Sequence, residues 1–396
     1  MKKSIVALLV VLALVILVSP GIIGRLAERS LEEDLDTTPK SEGEVIVTPQ
    51  GFQRGWFSSE GRHRVELRES HLTELLRHSI GGMDAEGLPV LIVDTHLDHG
   101  LIPLGSMTRE HGSLMPGLGR AVSTLQLEWP DGTTVDLPGN VYSSISLGGD
   151  LKSNYVLPAG SVGDAGQTTS WGNVDVNVSI ASKGESAALD ATVDSASFSQ
   201  DGGAVTVGKL AFSGSASRSG KGRLGGRSTL DLADVPLADL GAGDVHVTLR
   251  FDGIDAAAFD DVVRVLKKSA VTGTAPASDA ELRRFVAAGF EFDIDRFEVT
   301  TPDGPFSSAL HLHVKPMDDA SFSWPSALLA LDAGAELRMP VKLFERAVAL
   351  EPNLNALAGL GYLRREGDFY ELHAAFRKGL LTVNDAPIPI PLPAVR

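Results

Sequence analysis

No cysteine occurs among the 396 residues. Disulfides are therefore excluded as a source of stability, and so is a lipid-attached lipoprotein leader. Burial and hydrogen bonding must carry the fold. Aromatic residues are scarce as well, at 6%, whereas glycine is plentiful, at 42 residues. That balance suits many short strands and tight turns better than a large helical bundle. Positive charge is also in short supply: 35 Lys and Arg stand against 51 Asp and Glu, a net charge of −16. Nucleic acid is thereby excluded as a partner, because affinity for it rests on cationic neutralisation of phosphates. Adhesion of the soluble part to anionic headgroups is disfavoured for the same reason. An apolar groove for acyl chains needs no positive charge and stays open as a reading.

Catalytic signatures are missing too. There is no helical His-Glu-x-x-His and no Gly-x-Ser-x-Gly, so the best-known zinc hydrolase and serine hydrolase nucleophile patterns are absent. Gly214 to Gly222 contains Gly220-Lys221 and superficially suggests a phosphate loop. Its spacing is one residue too long, and Gly222 stands where Ser or Thr should hold magnesium. It reads as a solvated glycine-serine loop. Adjacent acids such as Glu32-Glu33 and Asp318-Asp319 are not naturally convergent as glycosidase carboxylates. One copy of a tetratricopeptide-like pattern over residues 344–378 cannot bury its own face. The chain reads as a non-enzyme, with no cofactor and no catalytic or metal-ligating set.

What is present begins at the amino terminus. Ser4 to Gly24 is an uncharged run of 21 residues, headed by Lys2 and Lys3 and closed by Arg25. As a helix it spans about 31 Å, enough to cross a hydrocarbon core. A cleaved signal peptide would need an Ala-x-Ala arrangement, and Ser19-Pro20-Gly21-Ile22-Ile23-Gly24 lacks it. Residues 1–24 therefore read as an uncleaved signal-anchor. The flanking lysines keep the amino terminus in the cytoplasm. In a bacterium this predicts a single-pass inner-membrane protein with its bulk in the periplasm. Residues 25–44 are polar and acidic and read as a juxtamembrane linker.

From Val45 onward, period-two alternation dominates. His63-Arg64-Val65-Glu66-Leu67 puts apolar residues on one face and charge on the other. Similar runs recur at residues 90–97, 123–129, 133–137, 141–147 and 153–157, and most regularly between 174 and 251. Gly202-Gly203 and Gly225-Gly226 read as turns between them. Helical spacing appears at residues 259–268, 279–288 and 341–350. Strands return at 290–300, 309–314, 370–377 and 380–383, the last pair joined at Lys378-Gly379. The expected fold class is α+β, mostly antiparallel β: extended twisted sheets in a meander with a few helices, preceded by one transmembrane helix. The helical stretch from residue 259 divides a β-rich region at 45–258 from a second one at 259–396.

Six of the ten histidines lie between His63 and His111. In a strand, His96 and Asp98 share a face, and a turn at Gly100 could bring His99 round. A metal-dependent hydrolase built on these three is the rival reading. The plainer one is that Asp98-His99-Gly100 ends a strand and turns.

Three segments together resemble the YdgA-like family of bacterial envelope proteins, which carries a domain of unknown function. The first is Phe52-Gln53-Arg54-Gly55-Trp56-Phe57-Ser58-Ser59, similar to that family's aromatic-x-x-Gly-x-Phe-Ser-Ser stretch. The second is Asp98-His99-Gly100 with Pro103, similar to its Asp-His-Gly-Pro turn. The third is Gly379-Leu380-Leu381-Thr382-Val383-Asn384, similar to its closing Gly-x-Leu-Thr-Val-Asn-Gly strand. Leu101 and Ile102 depart from the family pattern, Asp385 replaces its last glycine, and Phe52 stands for a tyrosine. The resemblance implies a periplasm-facing inner-membrane protein with a β-rich body, and it transfers no active-site residues. The expected role is non-enzymatic: a β-sheet groove or edge presented to a lipid or an envelope-protein partner.

Overall fold

The computed structural model describes residues 45–54, 58–67, 90–99, 118–128, 132–164, 167–200, 203–219, 222–236, 242–259, 261–262, 279–318 and 322–388. The expected anchor at 1–24 and linker at 25–44 lie outside the described residues. Among those described, no helix is long and apolar enough to cross a membrane. The chain divides into two compact units, Met1–Ser213 and Gly214–Arg396. Mostly antiparallel β structure with few helices is found in both, as the alternation predicts.

The first unit is built on β1 (Val45–Arg54), β2 (Ser58–Leu67), β3 (Val90–His99), β4 (Gly119–Glu128), β5 (Thr134–Ile145) and β6 (Leu151–Leu157). There follow β7 (Gly160–Asp164), β8 (Gln167–Trp171), β9 (Val174–Ile180), β10 (Ser186–Val193), β11 (Ala196–Gln200) and β12 (Gly203–Val207), and β13 (Leu210–Arg218) begins in this unit and ends in the second. Strands β1 to β6 pair in sequence, β6 pairs with β9, and β9 with β10, all antiparallel. Strands β7, β8, β11 and β12 make a separate four-stranded sheet. Alternation assigns one face of the main sheet to the core. Val65, Leu91, Leu125, Leu127, Leu151, Tyr155, Val176 and Ala191 are buried there in one cluster. Each large side chain so buried contributes roughly 1.5–3 kcal/mol.

The two sheets part at one level. Strand β6 stops at Pro158-Ala159, β9 begins after Gly172-Asn173, and β10 ends at Asp194-Ser195. The Gly172 amide donates to the Ser195 carbonyl at 2.8 Å and the Asp194 amide to the Asn173 carbonyl at 3.0 Å. Gly172 has no room for a side chain, since a Cβ would come within 2.8 Å of the Asp194 Cβ.

His63 also points to the core face, and its Nδ1 is buried without a hydrogen-bond partner. Burial pushes its pKa below 6.5. The folded chain therefore keeps the ring neutral while the unfolded chain takes up a proton. Stability should fall as pH drops below 6.5 and level off beneath the folded value. Urea midpoints measured across that range should slope for the wild type and flatten for His63→Gln.

The second unit continues as β14 (Arg223–Pro236), β15 (Ala242–Asp255), α1 (Asp279–Ala288), β16 (Phe290–Thr301), β17 (Gly304–Val314), α2 (Trp324–Ala330) and β18 (Leu331–Pro340). It closes with α3 (Val341–Leu350), α4 (Asn355–Gly359), β19 (Arg364–Glu366), β20 (Phe369–Arg377), β21 (Leu380–Val383) and β22 (Ala386–Ile388). Strands β14 to β18 form a meander that passes to β20. The helical stretch at which the sequence reading places its domain break lies inside this unit, as an excursion between the paired strands β15 and β16. Helices α1 and α3 occupy the expected residues. Of the helix expected at 259–268, residues 256–259 and 261–262 are helical, begun where the Asp255 carboxylate accepts from the Ala258 amide at 3.0 Å.

Several expectations fail for identifiable reasons. Residues 133–137 and 141–147 are not two strands but one, because a bulge at Pro138-Gly139 keeps β5 continuous: between Ser123 and Leu125 on β4, β5 passes from Val141 to Leu137. Residues 214–218 belong to β13 rather than to a loop, and just beyond them the Ser219 amide donates to the Arg223 carbonyl. Gly225-Gly226 is a bulge inside β14, not a turn. The Phe251 ring lies where a Gly226 side chain would be, with its Cζ 2.6 Å from the ideal Cβ position.

Candidate functional site

The opposite face of the first sheet is polar, and its side chains follow from the register. Glu60 of β2 stands across from His96 of β3, and Arg62 from Asp94. His96 in turn faces Val122 of β4, and Asp94 faces Thr124. Val122 faces Tyr142 of β5, Tyr142 faces Asn154 of β6, and Asn154 faces Asn177 of β9. Two cavities lie along this row. One of about 510 Å³ spans β1 to β5 between Phe52 and Tyr142. The other, of about 340 Å³, spans β5 to β10 from Tyr142 to Asp190. Tyr142 lines both.

The charges lining the larger cavity pair with one another. Arg62 reaches Asp94 with Nε and Nη2, each at 2.6 Å. The bidentate hydrogen bond from Arg62 holds the Asp94 carboxyl below its ordinary pKa, and the Arg62 guanidinium is raised in return. Arg64 bridges Glu66 and Glu128. His96 sits between Glu60, 3.5 Å from Nδ1, and Asp98, 3.3 Å from Nε2. Amides fill the rest: Asn140 donates to the Tyr142 hydroxyl at 3.2 Å, and Asn154 to the Asn177 side-chain carbonyl at 2.9 Å.

His96 and Asp98 thus share a face, as the alternation predicts. His99 follows at the end of β3, and its side chain lies outside the described residues. Among those described, no group of three or more His, Asp or Glu side chains is arranged to hold a metal ion. Of the motif residues, Gly55, Phe57, Gly100 and Pro103 also lie outside. Ser58 opens β2 opposite the buried Asp98. Phe52 is 56% exposed on β1, and its pairing with Gly61 puts its ring on the side of His63 rather than among the trough side chains.

Gly379 and Asn384 have turn geometry in common. Lys378 and Gly379 both have positive φ, 53° and 78°, in the two-residue turn between β20 and β21. Asn384 and Asp385, at 48° and 66°, repeat this between β21 and β22. Asn384 is also a plug. Strands β19 and β21 pair with the two ends of one edge of β20, and Asn384 fills the gap between them. Its side-chain oxygen accepts from the His373 amide at 2.9 Å, and its Nδ2 donates to the Gly361 and Tyr362 carbonyls at 3.2 and 3.1 Å. Asp385 occupies a left-handed site that glycine fits without strain. Asp385→Gly should therefore stabilise the chain by about 1 kcal/mol, read as an upward shift of the thermal midpoint.

The second unit holds groups that the sequence did not single out. On β14 and β15, Asp231 bonds His246 Nδ1, and Thr248 Oγ1 lies 3.2 Å from His246 Nε2. The order is that of a nucleophile, base and orienting acid. Thr248, however, is only 4% exposed, and its hydroxyl lies 3.5 Å from that of Thr229 on the neighbouring strand. A hydroxyl so enclosed is a sheet contact rather than a nucleophile. Buried Asp293 similarly binds Arg250 and His311. These pairs are alternating charges that meet only through the register.

Comparison with known proteins gives a family and nothing finer. A family model described as a bacterial protein of unknown function, DUF945, matches residues 1–239 and 219–391. No curated protein matches the chain, and no solved structure does.

Proposed function

We propose, for a chain that belongs to the bacterial DUF945 family of unknown function, a non-catalytic role as a tethered binding component of the cell envelope. Residues 4–24 hold it in the inner membrane with the body in the periplasm, and the first sheet presents its polar face to a partner. The carrying observation is the pair of adjoining cavities along that face, lined from regularly paired strands. Rigid paired strands are what a binding surface requires. The apolar face, by contrast, is occupied by the buried residues of its own core. That favours an envelope partner over an acyl chain in an apolar groove. A YdgA-like placement within the family is supported by the motif residues Phe52, Ser58, Asp98, Gly379 and Asn384. The rival hydrolase at His96, Asp98 and His99 draws no support from the described residues.

The test is a photo-crosslinking residue at Thr124, which is exposed on the trough, in the full-length chain expressed in bacteria. The chain should fractionate with the inner membrane and form an adduct from Thr124, but not from exposed Glu185 outside the trough. Recovery as a soluble cytosolic species, or no adduct from Thr124, would overturn the reading.

A further inference from the structure

We infer that the polar trough of the first sheet binds a neutral oligosaccharide strand laid across β1 to β10. This rests on the binding role above and narrows it to one ligand class.

Charge is the first argument. The ionised groups lining the two cavities are Glu60, Asp94 and Asp190 against Arg62 and Lys152, three acids and two bases, a net of one negative charge. The whole chain carries −16. The trough is therefore a nearly neutral strip on an acidic protein. Arg62 and Asp94 neutralise each other directly. Neither a polyanion nor a polycation finds an unpaired charge excess there.

Hydrogen-bonding inventory is the second. Gln53, Thr124, Asn140, Ser144, Asn154 and Ser179 line the two cavities. Amides and hydroxyls each offer both donor and acceptor capacity. Sugar hydroxyls need that combination, since each both gives and takes a hydrogen bond. Acyl chains need neither.

Aromatic placement is the third. Tyr142 stands at the junction of the two cavities. The negative ring face attracts positively polarised edges, and the C–H face of a pyranose is such a surface. Extent decides between a monosaccharide and a strand. Neighbouring strands are about 4.8 Å apart, so the row from β1 to β10 is several sugar rings long. A single sugar would leave one cavity unfilled.

The experiment titrates the full-length chain, in a detergent without a sugar headgroup, against neutral oligomers of β-linked N-acetylglucosamine, β-linked glucose and α-linked glucose. An acidic oligogalacturonate serves as the charged comparison. At least one neutral oligomer should bind saturably and more tightly as it lengthens. Gln53→Ala and Asn177→Ala, both at exposed trough positions, should each weaken it about tenfold with an unchanged melting curve. Preference for the acidic oligomer would overturn the inference, as would binding that survives both substitutions. No binding to any oligomer, alongside an adduct from Thr124 to a protein, would overturn the glycan and leave the binding role standing. Neither binding nor adduct would remove both.

Discussion

Asn384→Ala should lower the unfolding free energy by about 3 kcal/mol, because it removes three side-chain hydrogen bonds to part-buried backbone groups at once. The His373 amide loses its acceptor, and the Gly361 and Tyr362 carbonyls lose their donor. Gly361 is exposed, so water can replace its donor, whereas the His373 amide and the Tyr362 carbonyl meet Asn384 in the break between β19 and β21, where Asn384 itself is 8% exposed. Backbone conformation adds to the loss. A φ of 48° is tolerated by asparagine but costs alanine about 1 kcal/mol. Asn384→Gly separates the two contributions: it relieves the backbone and keeps the hydrogen-bond loss, so it should fall between wild type and alanine. Urea unfolding of the three chains measures this. A loss below about 1 kcal/mol for alanine would mean that water enters the gap and satisfies the freed groups.

This residue also marks the boundary of what the sequence disclosed. The closing motif singled out Asn384, yet nothing local announced its partners. Gly361 and Tyr362 lie more than twenty residues upstream and reach it only because β19 and β21 divide one edge of β20. Helices α1 and α3 were legible to the residue, because their 3.6-residue spacing is clear and proline or glycine flanks them. The Lys378-Gly379 hairpin was legible because positive φ selects those residue types. Strands made of Ser, Thr, Gly and Arg were not: β7, β8 and residues 214–218 of β13 are held by the backbone ladder, which needs no apolar side chain. The trough was hidden for a related reason. Glu60 and Arg62, like Asp94 and His96, read as a solvated charged face on each strand separately. Their complementarity exists only in the pairing of β2 with β3, residues 32 positions apart meeting as Arg62 and Asp94.

Gly139→Ala tests whether the shape of the trough depends on the bulge that the sequence reading mistook for a break. The residue has φ 95°, and a Cβ there would stand 2.1 Å from the Val156 carbonyl oxygen of β6. No rotamer relieves this, because a methyl has none and the obstacle is backbone. Left-handed strain costs about 1–2 kcal/mol, and forcing the strands apart brings the total to about 4 kcal/mol. The strain is applied beside Asn140, paired with Val156, and close to the Pro138 carbonyl, which accepts from the buried Tyr155 hydroxyl at 3.4 Å. Asn140 and Tyr142 line the larger cavity, so the substitution should disturb binding as well as stability. Leu127→Ala supplies the comparison. It empties a fully buried site on the other face at a similar cost of about 3 kcal/mol, and it touches no trough residue. Matched for unfolding free energy in urea, the two variants should diverge in crosslinking from Thr124: Leu127→Ala keeps the adduct, and Gly139→Ala loses most of it. Equal adduct yields at equal stability would show that the bulge serves the fold alone.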